Sequence, residues 1–272
     1  MRTRCGLLAG ALALGLIAGA CGGNAQATVT ARTLRQAAQK TDATESFRFE
    51  ATVAADAGGE QIEMTMRGVA SADGDRAAVT ADMSGLGSFE ERIVDGVVYI
   101  DFSDIPQAAA DLPPGKRWVA IDVDELSGIE GGALKSLSEQ TAQNTPQQGL
   151  ESLKALIGPI EELGDDTVGG APATHYRGQL DLTKLLGDAD VPAAASDAFA
   201  ALGFEAMPVD VWVDARDRVV KMRLVMKGEI EGETFRMEIT YEITDFNAQV
   251  DVSAPPPDEV VDYHALADSV FV

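Results

Sequence analysis

Residues 219–243 decide the fold, and they read VVKMRLVMKGEIEGETFRMEITYEI. Apolar residues alternate with polar ones on both sides of a Glu231-Gly232 turn: Val220, Met222, Leu224 and Met226 before it, and Phe235, Met237, Ile239, Tyr241 and Ile243 after it. A period of two is typical of a strand with one buried and one solvated face. The stretch therefore predicts two long antiparallel strands.

The same alternation extends toward the N-terminus. It predicts further strands at Phe47–Val53, Ile62–Gly68, Arg76–Met83, Phe89–Val94, Val97–Phe102, Trp118–Val123, Tyr176–Leu182 and Val209–Val213. Between them stand the turn signals Gly58-Gly59, Asp73-Gly74, Asp95-Gly96 and Gly169-Gly170. With the two closing strands, these patterns predict about ten antiparallel strands.

Helices are predicted before, between and after the strands. The first is capped by Thr30 or Thr33 and places Leu34, Ala37, Ala38 and Thr41 on one face. The others cover Leu134–Leu137, a segment from Pro146 through Ile157 that Pro159 bends or ends, Ala193–Leu202, and Asp258–Ala267. Antiparallel strands with inserted helices predict the α+β class.

The first twenty residues carry an export signal. Arg2 and Arg4 precede the apolar run Leu7–Ile17, and the small residues Ala18-Gly19-Ala20 lead to Cys21. The apolar run is too short to span a bilayer as a helix. The pattern therefore predicts a secretory signal peptide over residues 1–20, cleaved before Cys21.

The residues around Cys21 resemble the lipobox of bacterial lipoproteins, although Ala18 stands where leucine is usual. The resemblance implies lipidation of Cys21, with a diacylglyceryl group on its thiol and a further acyl chain, such as palmitate, on its amine. Two or more chains give a stable membrane anchor. The alternative is an ordinary signal with an incidental cysteine. The predicted organisation is signal peptide 1–20, lipidated flexible tether 21–30 and one domain 31–272, on the extracytoplasmic face of the cell membrane.

The net charge limits the kinds of binding partner, and the cysteine content limits the covalent cross-links of the domain. The signal peptide contains two arginines and no acidic residue, so its removal changes the net charge from −23 to −25. Such a charge repels nucleic acid and anionic head groups, so no nucleic-acid partner is expected and the acyl anchor must hold the protein to the membrane. Cys5 leaves with the signal and Cys21 carries lipid, which excludes a disulfide in the folded domain.

Residues with catalytic or metal-binding chemistry are sparse. The two histidines, His175 and His264, lie far apart in sequence, and each is predicted to be a solvated or edge histidine. Acidic pairs such as Glu90-Glu91 are expected by chance among 44 acidic residues. The run Asp122–Gly128 departs from a calcium loop because Leu126 occupies a ligand position. The prediction is therefore no enzyme, no catalytic residue, no metal and no cofactor.

The apolar strand faces are the candidate ligand site because they combine methionine with aromatic residues. Methionine fills irregular apolar space and adapts to varied partners. The candidate ligand-binding residues are Phe47, Phe49, Met64, Met66, Met222, Leu224, Met226, Phe235, Met237, Ile239 and Tyr241. An ordinary core covered by helices would show the same pattern, so a cavity wall and a filled core both remain open.

Several segments spread over the chain carry a family resemblance. They are Asp95–Tyr99, Lys116–Val119, Val209–Asp214, Val219–Met222 and Thr244–Asn247. With the Cys21 motif, they make the chain similar to the LppX/LprG group of actinobacterial lipoproteins, which belongs with the LolA, LolB and RseB-like carriers. The resemblance implies a strongly curved antiparallel β-sheet, a half-barrel, with helices covering its concave face and acyl chains or glycolipids between the layers.

The predicted function is that of a membrane-anchored extracytoplasmic lipoprotein that binds or carries an acylated lipid or glycolipid. The alternative is a sensor or scaffold of the cell envelope that binds protein, as RseB-like members do. A large apolar volume between sheet and helices would favour the carrier. A filled core with an exposed apolar patch would favour the protein-binding alternative.

Overall fold

The computed structural model describes residues 30–110, 112–122, 146–182, 184, 206–230 and 233–270. The strands in these ranges are β1 (Ser46–Ala57), β2 (Glu60–Ser71), β3 (Arg76–Met83), β4 (Gly87–Val94), β5 (Val97–Asp101), β6 (Trp118–Asp122), β7 (Leu156–Val168), β8 (Ala171–Asp181), β9 (Ala206–Asp214), β10 (Val219–Ile230), β11 (Glu233–Phe246) and β12 (Val260–Asp262). The helices are α1 (Ala31–Asp42), α2 (Pro106–Ala109), α3 (Pro146–Ser152) and α4 (Tyr263–Val270), and 3₁₀ turns cover Leu153–Ala155 and Pro257–Glu259.

These twelve strands form one large, open, curved sheet in the order β12-β6-β5-β4-β3-β2-β1-β11-β10-β9-β8-β7. All neighbours pair antiparallel except β12, which runs parallel to β6. The prediction of a curved, largely antiparallel sheet is confirmed. The described part of the chain is mostly strand with few helices, and a helical cover on the concave side stays a prediction.

Three hairpin turns follow directly from the sequence. Gly58-Gly59, Asp95-Gly96 and Gly169-Gly170 each have a positive φ at both positions, as a type I′ turn requires. This turn matches the twist of the flanking strands, and its length of two residues fixes the register in which they pair. β4 and β5 therefore begin their pairing at Val94 and Val97, directly beside the turn.

The sheet has two unlike faces. We call the face that carries Ala51, Met66 and Met222 the apolar face, because most of the buried core lies on it. The opposite side is the polar face. Helix α1 contributes Leu34, Ala37 and Ala38 to the same core, and these are three of the four positions that the sequence placed on one face of the helix.

The fourth position, Thr41, joins α1 to the sheet by hydrogen bonds. Its hydroxyl donates to the Ala37 carbonyl at 3.1 Å and accepts the backbone N–H of Val219 at 2.8 Å. The side chain is only 2% exposed, so water cannot replace these bonds. Thr41 thus couples α1 to the beginning of β10.

We expect Thr41→Val to lower the free energy of unfolding by about 1–3 kcal/mol, because the Val219 N–H stays buried without an acceptor. Urea unfolding of the purified protein measures the change. Thr41→Ser is the control, since it keeps the hydroxyl and loses only a methyl group worth about 0.8 kcal/mol. Equal losses in the two variants would contradict this role for the hydroxyl.

The helix predicted from Pro146 is shorter than expected. It ends at Ser152, and strand β7 begins at Leu156 after one 3₁₀ turn, so the prediction of a helix through Ile157 is wrong. Leu153 is fully buried and Leu156 nearly so, which explains the helix-like apolar spacing.

Strand β7 is an edge strand that the sequence did not reveal. Pro159 lies inside it, where the pairing with β8 shifts between Ile157 and Glu161. Proline lacks the backbone donor of a central strand but is tolerated at an edge. This edge carries the exposed acidic residues Glu161, Glu162 and Asp165. Charged side chains at an edge strand disfavour its pairing with a strand of another chain.

The C-terminal segment crosses the ends of the strands before it rejoins the sheet. Arg76 donates to the Val252 carbonyl at 3.0 Å, and Arg92 donates to the Ser253 carbonyl at 3.3 Å. The tail then forms β12 beside β6, and helix α4 begins only at Tyr263. The predicted helix over Asp258–Ala267 is therefore wrong in its first part, where Val260 and Val261 pair with β6 instead.

Some predicted features lie outside the described residues. They are Cys21 with the signal peptide, the helices over Leu134–Leu137 and Ala193–Leu202, and the run Asp122–Gly128 apart from Asp122 itself.

Candidate functional site

The eleven predicted ligand-binding residues come together on the apolar face of four neighbouring strands, β2, β1, β11 and β10. Two cross-strand rows are Met66–Ala51–Tyr241–Met222 and Met64–Val53–Ile239–Leu224. Met237 lies between Ala55 and Met226 in the following row. The structure therefore assembles the predicted residues into one continuous apolar surface, which spans segments up to about 190 positions apart in sequence.

Burial decreases along this surface. Seven of the residues are buried: Phe47, Phe49, Met66, Met222, Leu224, Met226 and Tyr241. The other four, Met64, Phe235, Met237 and Ile239, are only partly buried and lie toward the turns that join β1 to β2 and β10 to β11. We call these four the open end of the apolar face.

Helices α1 and α3 each contact a strand of this surface. α1 contacts β10, and α3 contacts β11, where Gly149 faces the ring of Tyr241. A Cβ at position 149 would come within 3.3 Å of this ring, so glycine permits the close approach. Burial raises the pKa of the Tyr241 hydroxyl well above its ordinary value.

One carboxylate is buried on the apolar face. Glu91 is 5% exposed and stands between Val79 and Ile100 on the neighbouring strands. From the sequence, the Glu90-Glu91 pair was expected by chance, and no burial was predicted for either residue. The alternation of β4 explains the burial of Glu91, because Phe89, Glu91 and Ile93 share one face of that strand.

The polar face contains a cluster that the sequence analysis missed. Asp210, with a side chain 6% exposed, accepts hydrogen bonds from Arg177 Nε at 2.8 Å and Arg223 Nη2 at 3.0 Å, and its Oδ1 lies 3.0 Å from His175 Nε2. Burial by itself raises the pKa of this carboxyl, but the bonds from Arg177 and His175 outweigh burial, so the pKa lies below its ordinary value. The alternation in Val209–Asp214 indicates that Asp210 lies on the polar face. It does not indicate which side chains of the neighbouring strands contact Asp210.

His175 belongs to this cluster and lies on β8, between β7 and β9, so the prediction of a solvated or edge histidine is wrong for His175. Its side chain is 17% exposed and stacks on the ring of Trp212, with centroids 4.1 Å apart and planes 8° from parallel. Trp212 Nε1 donates to Asp166 at 2.8 Å. His264 is exposed, as predicted.

Two pockets open on the described part of the sheet. One, of about 520 Å³, lies between β9 and β10 and is lined by Met226, alone among the predicted ligand-binding residues. The other, of about 540 Å³, lies near Asp56 and Gln61 and contains none of them. Within the described ranges, no three His, Cys, Asp or Glu side chains are placed to hold a metal ion. No helix in these ranges is both long and apolar enough to cross a bilayer.

The chain was compared with known sequences. No protein-family model matches it. It is 29% identical over 251 residues to an uncharacterized 31.2 kDa protein of the rplA-rplJ intergenic region of Streptomyces griseus, covering 86% of this chain and 79% of that protein. It is 25% identical over 196 residues to "Putative lipoprotein SCO4650" of Streptomyces coelicolor, covering 72% of this chain and 59% of that protein.

Solved structures with a similar fold include two mycobacterial lipoproteins. LppX of Mycobacterium tuberculosis aligns over 82% of this chain and 97% of its own, with 14% identity and a TM-score of 0.46. LprF of Mycobacterium bovis aligns over 84% and 96%, with 12% identity and a TM-score of 0.45. MucB aligns over 84% and 61%, with 12% identity and a TM-score of 0.37. These structural neighbours include lipoproteins of the LppX type, the group that the sequence resembles.

Proposed function

We propose that this protein is a lipoprotein of the cell envelope, anchored through Cys21 on the extracytoplasmic face of the membrane, that binds a hydrophobic ligand on its apolar face. The ligand class is an acylated lipid or glycolipid. The mechanism is passive burial of acyl chains, without covalent chemistry.

The observation that carries the proposal is the open end of the apolar face. Met64, Phe235, Met237 and Ile239 continue the core surface without interruption, yet they stay partly exposed. Three of the four, Met64, Phe235 and Met237, are methionine or aromatic side chains, and methionine adapts to ligands of varied shape. A chain lying along them would extend from solvent toward the buried Met226, the cross-strand partner of Met237.

The energetics suit such a ligand. Burial of apolar surface is worth about 0.8 kcal/mol per methylene, so a long acyl chain that contacts this surface over much of its length provides ample free energy for capture. Part of it offsets the entropy lost on association. Carriage or presentation of the ligand needs no further chemistry from the protein.

A protein-binding role is the second candidate, because large apolar side chains are exposed on the described part of the chain, and two of them are more than half exposed. Ile62 is 62% exposed and Leu86 is 64% exposed, each near the end of a strand on the β2–β3 side of the sheet. A partner protein could cover them. Ile62 continues the apolar face on β2, in the row of Ala55 and Met237, whereas Leu86 lies in the turn between β3 and β4. The test below distinguishes the two roles.

We expect organic extraction of the purified protein to release stoichiometric lipid, and Met237→Trp to reduce it. At an open surface the added ring displaces ligand and finds room, so the free energy of unfolding changes by less than about 1 kcal/mol. In a filled core the same ring overpacks, which costs about 1–3 kcal/mol. Native mass spectrometry and urea unfolding of the same samples measure both quantities.

Thr240→Trp is the matched control, because Thr240 lies on the same strand but faces the polar side. It should leave the amount of bound lipid unchanged. The carrier role would be rejected if the wild-type extract contained no lipid and Met237→Trp were strongly destabilised. The protein-binding role would then be favoured.

A further inference from the structure

A cleft opens where β9 and β10 part. The two strands pair from Val213 down to Val209, opposite Leu224, and then separate, although β9 reaches back to Ala206 and β10 continues to Ile230. Pro208 stands at the point of separation. Since proline has no N–H to donate to the ladder, it favours the end of pairing here. The cleft is the pocket of about 520 Å³ described above.

The wall of this cleft is basic in an otherwise acidic chain. Arg177, Arg223, Lys227 and Arg236 line it, against Asp210 as the lining carboxylate. The chain as a whole has 44 acidic and 21 basic residues. This cluster of basic residues therefore differs from the acidic remainder of the chain. It attracts anions that the remaining surface repels.

One of the cations, Lys227, has unused binding capacity. Lys227 makes no ion pair with any described residue and stands directly opposite Arg236 in the register of β10 and β11. Like charges in this position repel each other. An oxyanion in the cleft would relieve this repulsion.

Arg236 is partly neutralised, which makes Lys227 the more available cation. Glu238 accepts a hydrogen bond from Arg236, and Asp56 is the cross-strand partner of Arg236 on β1. The positive charges of Arg177 and Arg223 are likewise partly neutralised, because both side chains form ion pairs with Asp210. The cleft therefore suits one anionic group of modest charge.

The other side of the cleft is apolar. Met207 and Met226 line it, and both are buried members of the core on the apolar face. Met226 is the cross-strand partner of Met237 at the open end. The cleft thus connects the cations of the polar face with the surface that is proposed to hold acyl chains.

We propose that the cleft is an oxyanion site that receives the phosphate head group of an anionic lipid, with its acyl chains directed past Met207 and Met226. The assignment of the chains rests on the proposed function, whereas the assignment of the oxyanion rests on the cleft alone. The protein would then select anionic lipids over zwitterionic ones of equal chain length.

The test uses fluorescent phosphatidylglycerol and phosphatidylcholine with identical acyl chains, each at trace level in phosphatidylcholine vesicles. The double variant Lys227→Gln/Arg236→Gln should lower the affinity for phosphatidylglycerol about tenfold or more, and leave the affinity for phosphatidylcholine unchanged. The control Arg48→Gln/Arg67→Gln removes two exposed charges from the polar face outside the cleft and should change neither affinity. Lys227→Gln alone serves if the double variant does not fold.

Equal changes for both lipids, or no change for either, would overturn the head-group assignment. A parallel titration with inorganic phosphate separates the two parts of the proposal. If the wild type binds neither lipid but binds phosphate, and the cleft variant does not, the proposed function fails while the oxyanion site stands. If the wild type binds neither lipid nor phosphate, the site is rejected as well.

Discussion

Asp210→Ala is expected to lower the free energy of unfolding by about 3 kcal/mol, at the lower end of the loss when a buried ion pair loses one partner. The substitution leaves Arg177, His175 and Arg223 without their common acceptor. The loss stays at the lower end because the Arg177 and Arg223 side chains are 46% and 37% exposed, so water hydrates the freed charges. Urea unfolding near neutral pH measures it.

The same carboxylate has a pH signature. The pKa of Asp210 is lower in the folded protein than its ordinary value, so its stabilising contribution is fully present above about pH 4 and is lost as the pH falls through the lower folded pKa. The difference in stability between wild type and Asp210→Asn should therefore shrink as the pH falls below about 4.

Asp245→Ala is the control for both measurements, because Asp245 is an exposed residue near the end of β11. It should change the free energy of unfolding by less than about 0.5 kcal/mol. An Asp210→Ala variant as stable as this control would contradict the role of Asp210 as the centre of the polar cluster.

Cys21→Ala is expected to move nearly all of the protein from the membrane fraction to the soluble fraction of a native-like host. The reason is that a net charge of −25 after signal removal repels an anionic membrane surface as a whole. Fractionation followed by a high-salt wash measures the distribution.

Cys5→Ala is the matched control, since Cys5 lies in the predicted signal peptide and would be removed with it. This variant should remain in the membrane fraction. If Cys21→Ala also remained there after the salt wash, the lipid anchor at Cys21 would be rejected.

The strands that were predicted correctly are those whose own sequence contains the whole signal. In β11 the alternation from Phe235 to Ile243 gives both the strand and its two faces, since side chains of a strand alternate whatever its neighbours are. The turn at Asp95-Gly96 is equally local, because both residues adopt a positive φ readily.

β7 and β12 were not predicted because pairing with the neighbouring strands, β8 and β6, stabilises them. β7 has glycine, Pro159 and several acidic residues, and it forms a strand through its hydrogen bonds with β8. β12 is only three residues long and exists because the C-terminal segment brings Val260 beside Trp118. No local window of sequence contains this information.

The sequence by itself determined the two faces of each long strand, the positions of the tight turns and the set of apolar residues on β1, β2, β10 and β11. Only the tertiary structure decided which of those residues remain partly exposed, and that Asp210 gathers Arg177 and Arg223 beside a cleft. The reason is that side-chain alternation is a property of one strand, whereas exposure and charge clusters depend on which distant strands become neighbours and where their pairing ends.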